Sequence, residues 1–522
     1  MSAQDAAFLY FERSNAPLHI GSVAIFEGSV PFDRIRESLD SRMHLIPRYR
    51  QRPVFPPLYA AHPTWDDDPS FSVDRHVRLV ELLRPGSAQQ LTKLAGELFA
   101  PMLPRDRPLW SIDVIHGLEG DRTAYVSRVH HCMVDGVSGI ELLLATLDLS
   151  PRWAPTPPPP QPWRPKAPPN PAQAWAEAVA DQWNSSLRAA TEFQTDMLNP
   201  RGQFRRLSDF GRALQVALPA AMTRATPAPW NGEISGRRCT AWTDVSFQEV
   251  RAIRSRLGGT VNDVVLTIIG GALGRYVAAR GEPIRGRTVR LQIPVNVRAE
   301  DERGALGNRV SQMLPSIPLD ITDPPARLRA VRAEMEQLKA QDEAGAFETL
   351  SRMIANTPAI YHALAGMRGI PAGLINLVCT NIPGPMIPLY SVGHRMLAHY
   401  PLVPLAADLG VGVGVTSYDN RLYFGIMADP TLVPDVDLIR QYLDEEFEAL
   451  RAAVSEPPLA APPPPTRTAP PPTDGRRLSA RRQAPRKRPR PKTRATAAAR
   501  ARSRGPARPA RARKPNAEGN GA

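Results

Sequence analysis

The chain has 522 residues, room for two core-bearing domains and something extra, because domains commonly run to about 100–200 residues. Its net charge of +14 belongs to one end: after Ser455 there are 18 Lys and Arg against Glu456, Asp474 and Glu518, so the first 455 residues sum to about −1. That excludes charge as a guide to what the body does. Three cysteines, Cys132, Cys239 and Cys379, cannot all pair, and MSAQDAAFLYFERSNA lacks a basic segment followed by an apolar one, so a reducing, cytoplasmic compartment is expected. The longest apolar run, Val264 to Gly274, is shorter than the roughly 20 residues a spanning helix needs, and any membrane contact is expected to be peripheral.

Taken in chain order, the first informative element is Thr123 to His131. Its alternation predicts a strand with Tyr125, Val129 and His131 on one face and Ala124, Val126 and His130 on the other. Ser138 with Glu141 makes a capping-box pattern, and Ile140, Leu143, Leu144 and Leu147 then repeat at helical spacing. His131 to Gly136 therefore lies on a strand-to-helix turn. Pro155 to Pro171 reads as a stiff connector of polyproline type separating two halves. After it, Trp175, Val179, Trp183, Leu187 and Ala190 form a stripe predicted to be a crossover helix packed on the body, with an interfacial membrane helix as the alternative.

Thr260 and Asp263 mark the start of a helix whose run from Val264 to Tyr276 is too apolar for a surface position, so it is expected to be central. Thr288 to Arg298 alternates strictly, with Val289, Leu291, Ile293, Val295 and Val297 against Arg290, Gln292, Asn296 and Arg298. In Asp408 to Ser417 the glycines Gly410, Gly412 and Gly414 share one face, where a packed helix or a ligand channel is expected to approach closely. Beyond Pro457 the Pro, Ala and Arg composition cannot bury enough apolar surface to order itself. The pattern predicts an α/β protein divided at 1–153, 154–235, 236–455 and a disordered basic tail, 456–522.

The residues that carry chemistry are His130-His131-Cys132-Met133-Val134-Asp135-Gly136, the pattern HHxxxDG, far more specific than a lone glycine motif. A neutral imidazole can accept the proton of an alcohol attacking a thioester, and the imidazolium can then protonate the departing thiolate, so one His suffices and no acyl-enzyme is required. Asp135 is expected to fix the turn by pairing with a cation. Adjacent histidines on a strand point to opposite faces and no further ligand cluster accompanies them, so a metal site is not expected.

HHCMVDG, together with SAQDAAFLYFE, PRDRPLW (104–110), NGEISGRR (231–238), TVNDVVL (260–266), PVNVR (294–298), GNRV (307–310) and NIPGP (381–385), resembles the bacterial wax ester synthase/diacylglycerol acyltransferase family. The likeness spans roughly residues 1 to 450, within the broader class of CoA-dependent acyltransferases. It implies two chloramphenicol-acetyltransferase-like subdomains with a tunnel at their interface, open to CoA at one mouth and to the lipid acceptor at the other. It further implies that His131 is the base, with His130 and Asp135 completing the catalytic motif. Gly136, Asn296 as an oxyanion donor and Arg298 as the partner of Asp135 are the supporting residues.

The resemblance implies acyl-CoA as co-substrate with no separate cofactor, and diacylglycerol or a long-chain alcohol as acceptor. An anionic membrane or lipid-droplet surface is the expected partner of the basic tail, at the inner face of the membrane, with no specific nucleic acid. Acylation of another lipid or polyketide alcohol, from a CoA or carrier-protein thioester, is the alternative reaction; a non-catalytic lipid-surface protein is the alternative of another class. Two departures bear on acceptor choice: Ser111 follows PLW where an acidic residue is common, and Trp230 and Glu233 interrupt the usual text around Asn231-Gly232. Asn262 and Asp263, PRDRPLW and NIPGP each also read as plain structural devices: a helix start, a turn with a buried Trp110, and a rigid loop.

Overall fold

The computed structural model describes residues 1–455 apart from 135, 297–309, 356, 358, 369–372, 407 and most positions between 168 and 221. The first half runs α1 (Ala3–Phe11), β1 (His19–Glu27), α2 (Phe32–Arg42), β2 (Gln51–Val54), β3 (Thr64–Asp67), β4 (Val77–Glu81), α3 (Ala88–Phe99), β5 (Trp110–Leu118), β6 (Arg122–His130) and α4 (Gly136–Thr146). The second half begins with β7 (Cys239–Ser246), α5 (Phe247–Leu257), α6 (Val261–Ala279), β8 (Thr288–Asn296), β9 (Val310–Met313) and β10 (Ser316–Pro318). It continues through α7 (Pro324–Ala340), α8 (Glu343–Ala355), α9 (Ala359–Arg368), β11 (Leu377–Ile382), β12 (Tyr390–Ser391), β13 (His394–Leu402), β14 (Val411–Tyr418), β15 (Arg421–Ala428) and α10 (Val436–Ser455).

Two large sheets carry the fold. The first has the order β12-β13-β1-β6-β5-β4 and the second β10-β8-β11-β14-β15-β7, with β9 added on β8. In the first, β1 and β6 pair antiparallel from His19 opposite His130 to Glu27 opposite Arg122, which sets the register of the motif. Two strands of this sheet, β12 and β13, come from residues 390–402, so the second half of the chain completes the sheet of the first. The sheets therefore do not follow the division of the sequence into halves.

The predicted alternation in β8 holds, with Val289, Leu291 and Ile293 buried in the larger core. The helix predicted from Thr260 is α6, closed by a capping box in which the Asp263 N–H donates to Thr260 Oγ1 (3.2 Å) and Asp263 Oδ2 accepts from the Thr260 N–H (2.7 Å). Buried residues occur on every side of it, from Val264 to Val277, as an all-apolar helix requires. Among the described residues it is also the one helix long and apolar enough to cross a membrane, yet most of it is enclosed by protein.

Three expectations need correction. First, the helix after the motif starts at Gly136, not after Ser138. The chain reverses within four residues, the Met133 N–H donating to the His130 carbonyl at 2.9 Å, and leaves no room for a later cap. Second, the chain that closes on the glycine face is not a helix: Gly414 meets strand β13, Gly412 the residues just after it, and Gly410 Trp230 and Leu432. A methyl on Gly414 would lie 3.0 Å from the Pro401 carbonyl oxygen, and one on Gly425, its partner on β15, only 1.8 Å away. Only glycine lets the two sheets approach so closely.

Third, the stripe after the proline connector is not packed as expected, while the connector itself is strapped to the first half. Trp153 lies 5.4 Å under the Arg34 guanidinium and Trp163 4.5 Å under that of Arg50. The Thr156 N–H donates to Ser41 Oγ and the Lys166 N–H to Asp67 Oδ2. In the stripe that follows, Trp175, Trp183 (67% exposed) and Leu187 face outward and are not packed on the body; Val179 and Ala190 lie outside the described residues.

Candidate active site

The motif leaves the end of β6 where α1 crosses it. Helix α1 is capped by Ser2, whose Oγ accepts from the Asp5 N–H at 3.0 Å, and helical periodicity sets Asp5, Phe8 and Glu12 on one side and Ala6 and Tyr10 on another. The first side faces the motif. Phe8 lies flat on the His131 imidazole, ring centroids 4.0 Å apart and planes 10° from parallel. The His131 N–H donates to the Leu18 carbonyl at 2.9 Å, so ring and backbone are both held.

His130 is buried and does a different job. Its Nδ1 accepts the Cys132 N–H at 3.2 Å, which leaves Nε2 to carry the proton, 3.3 Å from Glu12 Oε1. The Glu12 carboxylate, also buried, accepts the Leu18 N–H at 3.0 Å and an Arg105 N–H at 2.9 Å. Burial by itself would raise the carboxyl pKa, but His130, Arg105 and the Leu18 N–H outweigh it and hold the group at about 2. His19, directly across from His130 in the sheet, donates from Nε2 to the Phe99 carbonyl at 3.0 Å. Burial first, and then the charge of Arg128, push it down to about 3, so it stays neutral.

Cys132 lies inside the motif but is no nucleophile: burial, reinforced by Asp5 and Glu12, drives its thiol well above the ordinary range, and a thiolate is the reactive form. All three cysteines are free. Among the described residues no cluster of His, Cys, Asp or Glu has metal-holding geometry.

Of the residues singled out in the sequence, His130 and His131 stand at the β6 end, Gly136 opens α4 and Asn296 closes β8. Asp135 and Arg298 lie outside the described residues. The structure adds Phe8, Glu12, Leu18, His19 and Arg105. The spacing of Asp5, Phe8 and Glu12 on one helical face was the available signal, and Arg105 is the cation inside PRDRPLW. That motif also buries Trp110, whose indole N–H donates to the Tyr49 carbonyl at 2.8 Å and whose ring stacks on His76.

Two further motifs make structural contacts. In NGEISGRR, Asn231 binds the Asn376 and Asp408 carbonyls and Ser235 binds Asp429, while Trp230, just ahead of it, donates to the Asn376 carbonyl. In NIPGP, Asn381 reaches Asn262 at 3.3 Å.

Comparison with known proteins adds family to geometry. Residues 1–265 match the wax ester synthase/diacylglycerol acyltransferase catalytic domain, and residues 306–451 match the C-terminal domain of the same enzymes. The chain belongs to this family. A probable diacylglycerol O-acyltransferase of Mycobacterium tuberculosis is 31% identical over 472 residues, 87% of this chain and 96% of that protein. A second from that species, a putative diacylglycerol O-acyltransferase, is 30% identical over 471 residues, 88% and 91% of the two chains.

The wax ester synthase/diacylglycerol acyltransferase of Marinobacter aquaeolei superposes with a TM-score of 0.61 at 22% identity, covering 87% of this chain and 99% of that one. The first condensation domain of the calcium-dependent antibiotic synthetase gives 0.56 at 16%, covering 88% and 96%, and shares the fold. The protein is thus an O-acyltransferase of the diacylglycerol acyltransferase/wax ester synthase type, with the α/β architecture that the resemblance implied.

In this family member the Glu12 charge should be measurable as pH-dependent stability. A carboxyl held at about 2 against an ordinary 4.5 stabilises the fold fully above 4.5 and loses that contribution as pH falls towards 2. Glu12→Gln should therefore have a lower urea midpoint than the parent at neutral pH, and the gap should close below pH 4.5. A gap that stays constant with pH would show that the charge of Glu12 is not what the network holds.

Proposed function

We propose that the protein transfers a fatty acyl group from acyl-CoA to the hydroxyl of diacylglycerol, and to long-chain alcohols, with His131 as general base. The observation that carries the reading is the held imidazole of His131, stacked on Phe8 at the turn of an HHxxxDG motif, in a chain whose relatives are named for this reaction. The acceptor hydroxyl gives its proton to His131 as its oxygen attacks the thioester carbonyl. The tetrahedral intermediate collapses, the C–S bond breaks, and the imidazolium returns the proton to the CoA thiolate. The thioester is itself the activated donor, so the reaction as written needs no metal or organic cofactor. His130 positions the turn through Glu12, and Asn296, at the end of β8, donates to the developing oxyanion.

His131→Ala should lower turnover about a hundred- to ten-thousandfold with unchanged melting, in assays offering acyl-CoA with diacylglycerol or with a long-chain alcohol. His130→Ala should cost less activity and more stability. A well-folded His131→Ala protein with near-parental turnover would overturn the mechanism.

Asp135 pairs with Arg298 in this reading, because a carboxylate on a tight turn between two halves needs a cationic partner. Asp135→Asn and Arg298→Gln, made singly and together, should be markedly non-additive in stability. Additive losses would refute the pairing and leave the role of His131 untouched.

The tail beyond Ser455 acts as an electrostatic tether to the inner face of the membrane or to lipid droplets. It has 18 basic residues and hardly any large apolar ones, and each cation near an anionic surface contributes about 1 kcal/mol. Truncation after Ser455 should weaken binding to anionic vesicles at low salt and slow turnover of bilayer-bound acceptor, while a dispersed short-chain alcohol is acylated as before. Equal vesicle binding by the truncated protein would exclude the tether.

A further inference from the structure

Helix α9 is built inside out. Its small residues face the protein: Ala359 and Ala363 are buried, and a methyl on Gly366 would lie 2.7 Å from the Tyr10 backbone oxygen. They seat the helix on Ala6 and Tyr10 of α1, and Arg13 donates to the Gly366 carbonyl to fix the end. Its large residues face away: Tyr361 is 62% and Leu364 47% exposed, with Ile360 beside them. A helix meant for water places such side chains inward and leaves small or polar ones outside.

The turn at Pro57–Tyr59 does the same. It adjoins this helix, since Phe55 and Tyr59 pack with Ala6, Tyr10 and Ala363. Leu58 is 88% exposed, and it and Tyr59 hold φ of +56° and +52°, a left-handed conformation that non-glycine side chains adopt at a cost. Strain is being used here to point a leucine outward. The two segments concerned, 52–62 and 359–368, contain no Asp or Glu, and Arg52 and Arg368 stand at their ends in sequence. An apolar patch built from two segments without a carboxylate is complementary to a phospholipid surface, whose headgroups present phosphate above an apolar interior.

We infer that α9 and the Pro57–Tyr59 turn form the face by which the enzyme rests on a lipid surface, with Leu58, Tyr361 and Leu364 entering the interface. The inference rests on the proposed lipid acceptor and adds where that acceptor enters. Helix α1 separates the patch from the motif: Tyr10 and Ala6 touch α9 on one side, and Phe8 covers His131 on the other. The acceptor therefore leaves the interface about one helix diameter, some ~10 Å, from the base. The patch works independently of the basic tail, because apolar insertion survives salt and electrostatic attraction does not.

The test uses the full chain and vesicles of phosphatidylcholine containing diacylglycerol, floated at high salt to screen the tail. The double variant Leu58→Glu/Leu364→Glu should bind at least about tenfold more weakly than the parent and lose turnover of vesicle diacylglycerol to a similar extent. Its acylation of a dispersed short-chain alcohol and its melting temperature should stay close to the parent's. Ile387→Glu, at an exposed apolar position outside both segments, is the control and should bind normally.

Parental binding by the double variant would overturn the assignment. So would a parent that self-associates in solution through this patch and a variant that is monomeric, since the occupant would then be a second copy. Flotation is read without turnover, so a parent inactive on every acceptor would sink the proposed reaction while the binding result still decided the surface.

Discussion

The carboxylate of Glu12 is closed off from water, and a charge so placed persists only where several donors converge on it. Here they come from three stretches of chain, the Leu18 N–H ahead of β1, Arg105 from the loop ahead of β5 and His130 at the end of β6, and they meet at the residue that caps the end of α1. None of these segments can shift without leaving the charge short of a partner. The network thus sets where α1 lies, and α1 in turn sets Phe8 against His131 on one side and receives α9 on the other. The order of dependence runs from a buried charge to a helix, and from that helix to both the motif and the outer surface.

Division of labour within the histidine pair follows from the same geometry. Successive strand residues face opposite ways, so His130 is directed into the charge network while His131 is left partly open beneath Phe8. The second half of the molecule contributes by contact at close range: glycines on β14 and β15 let β13 lie across them, which brings the sheet that carries the motif against the sheet that ends at Asn296.

Much of this was legible in the sequence. Alternation located β6 and β8 to within a residue or two, because successive strand residues face opposite ways and so enter different surroundings, two separate cores in the case of β6, and the Thr260–Asp263 box located α6 because capping is a local interaction. What stayed hidden was non-local. Glycines at Gly412 and Gly414 announced a close approach, but nothing near them in sequence says that the approaching chain is strand β13 and the residues just after it. Glu12 shared a helical face with Phe8, yet its role needed Arg105, some ninety residues away. The Ser138 pattern misled because a capping box reads the same whether or not an earlier turn has already started the helix. The outward-facing residues of α9 have helical spacing, and spacing alone does not tell an inner stripe from an outer one.

The lending of β12 and β13 to the first sheet has a consequence for how the protein is made. Strand β1 is an interior strand only once residues 394–402 have arrived; until then a nascent chain carries it as an open edge, with unpaired backbone groups ready to join any other strand. The ribosome must synthesise α5 through β11 before that edge can close, and the motif already stands on β6, the strand next to it. A family domain that matches residues 1–265 as a sequence unit is therefore not a folding unit, and the HHxxxDG turn acquires its final surroundings only after residue 402 has been made.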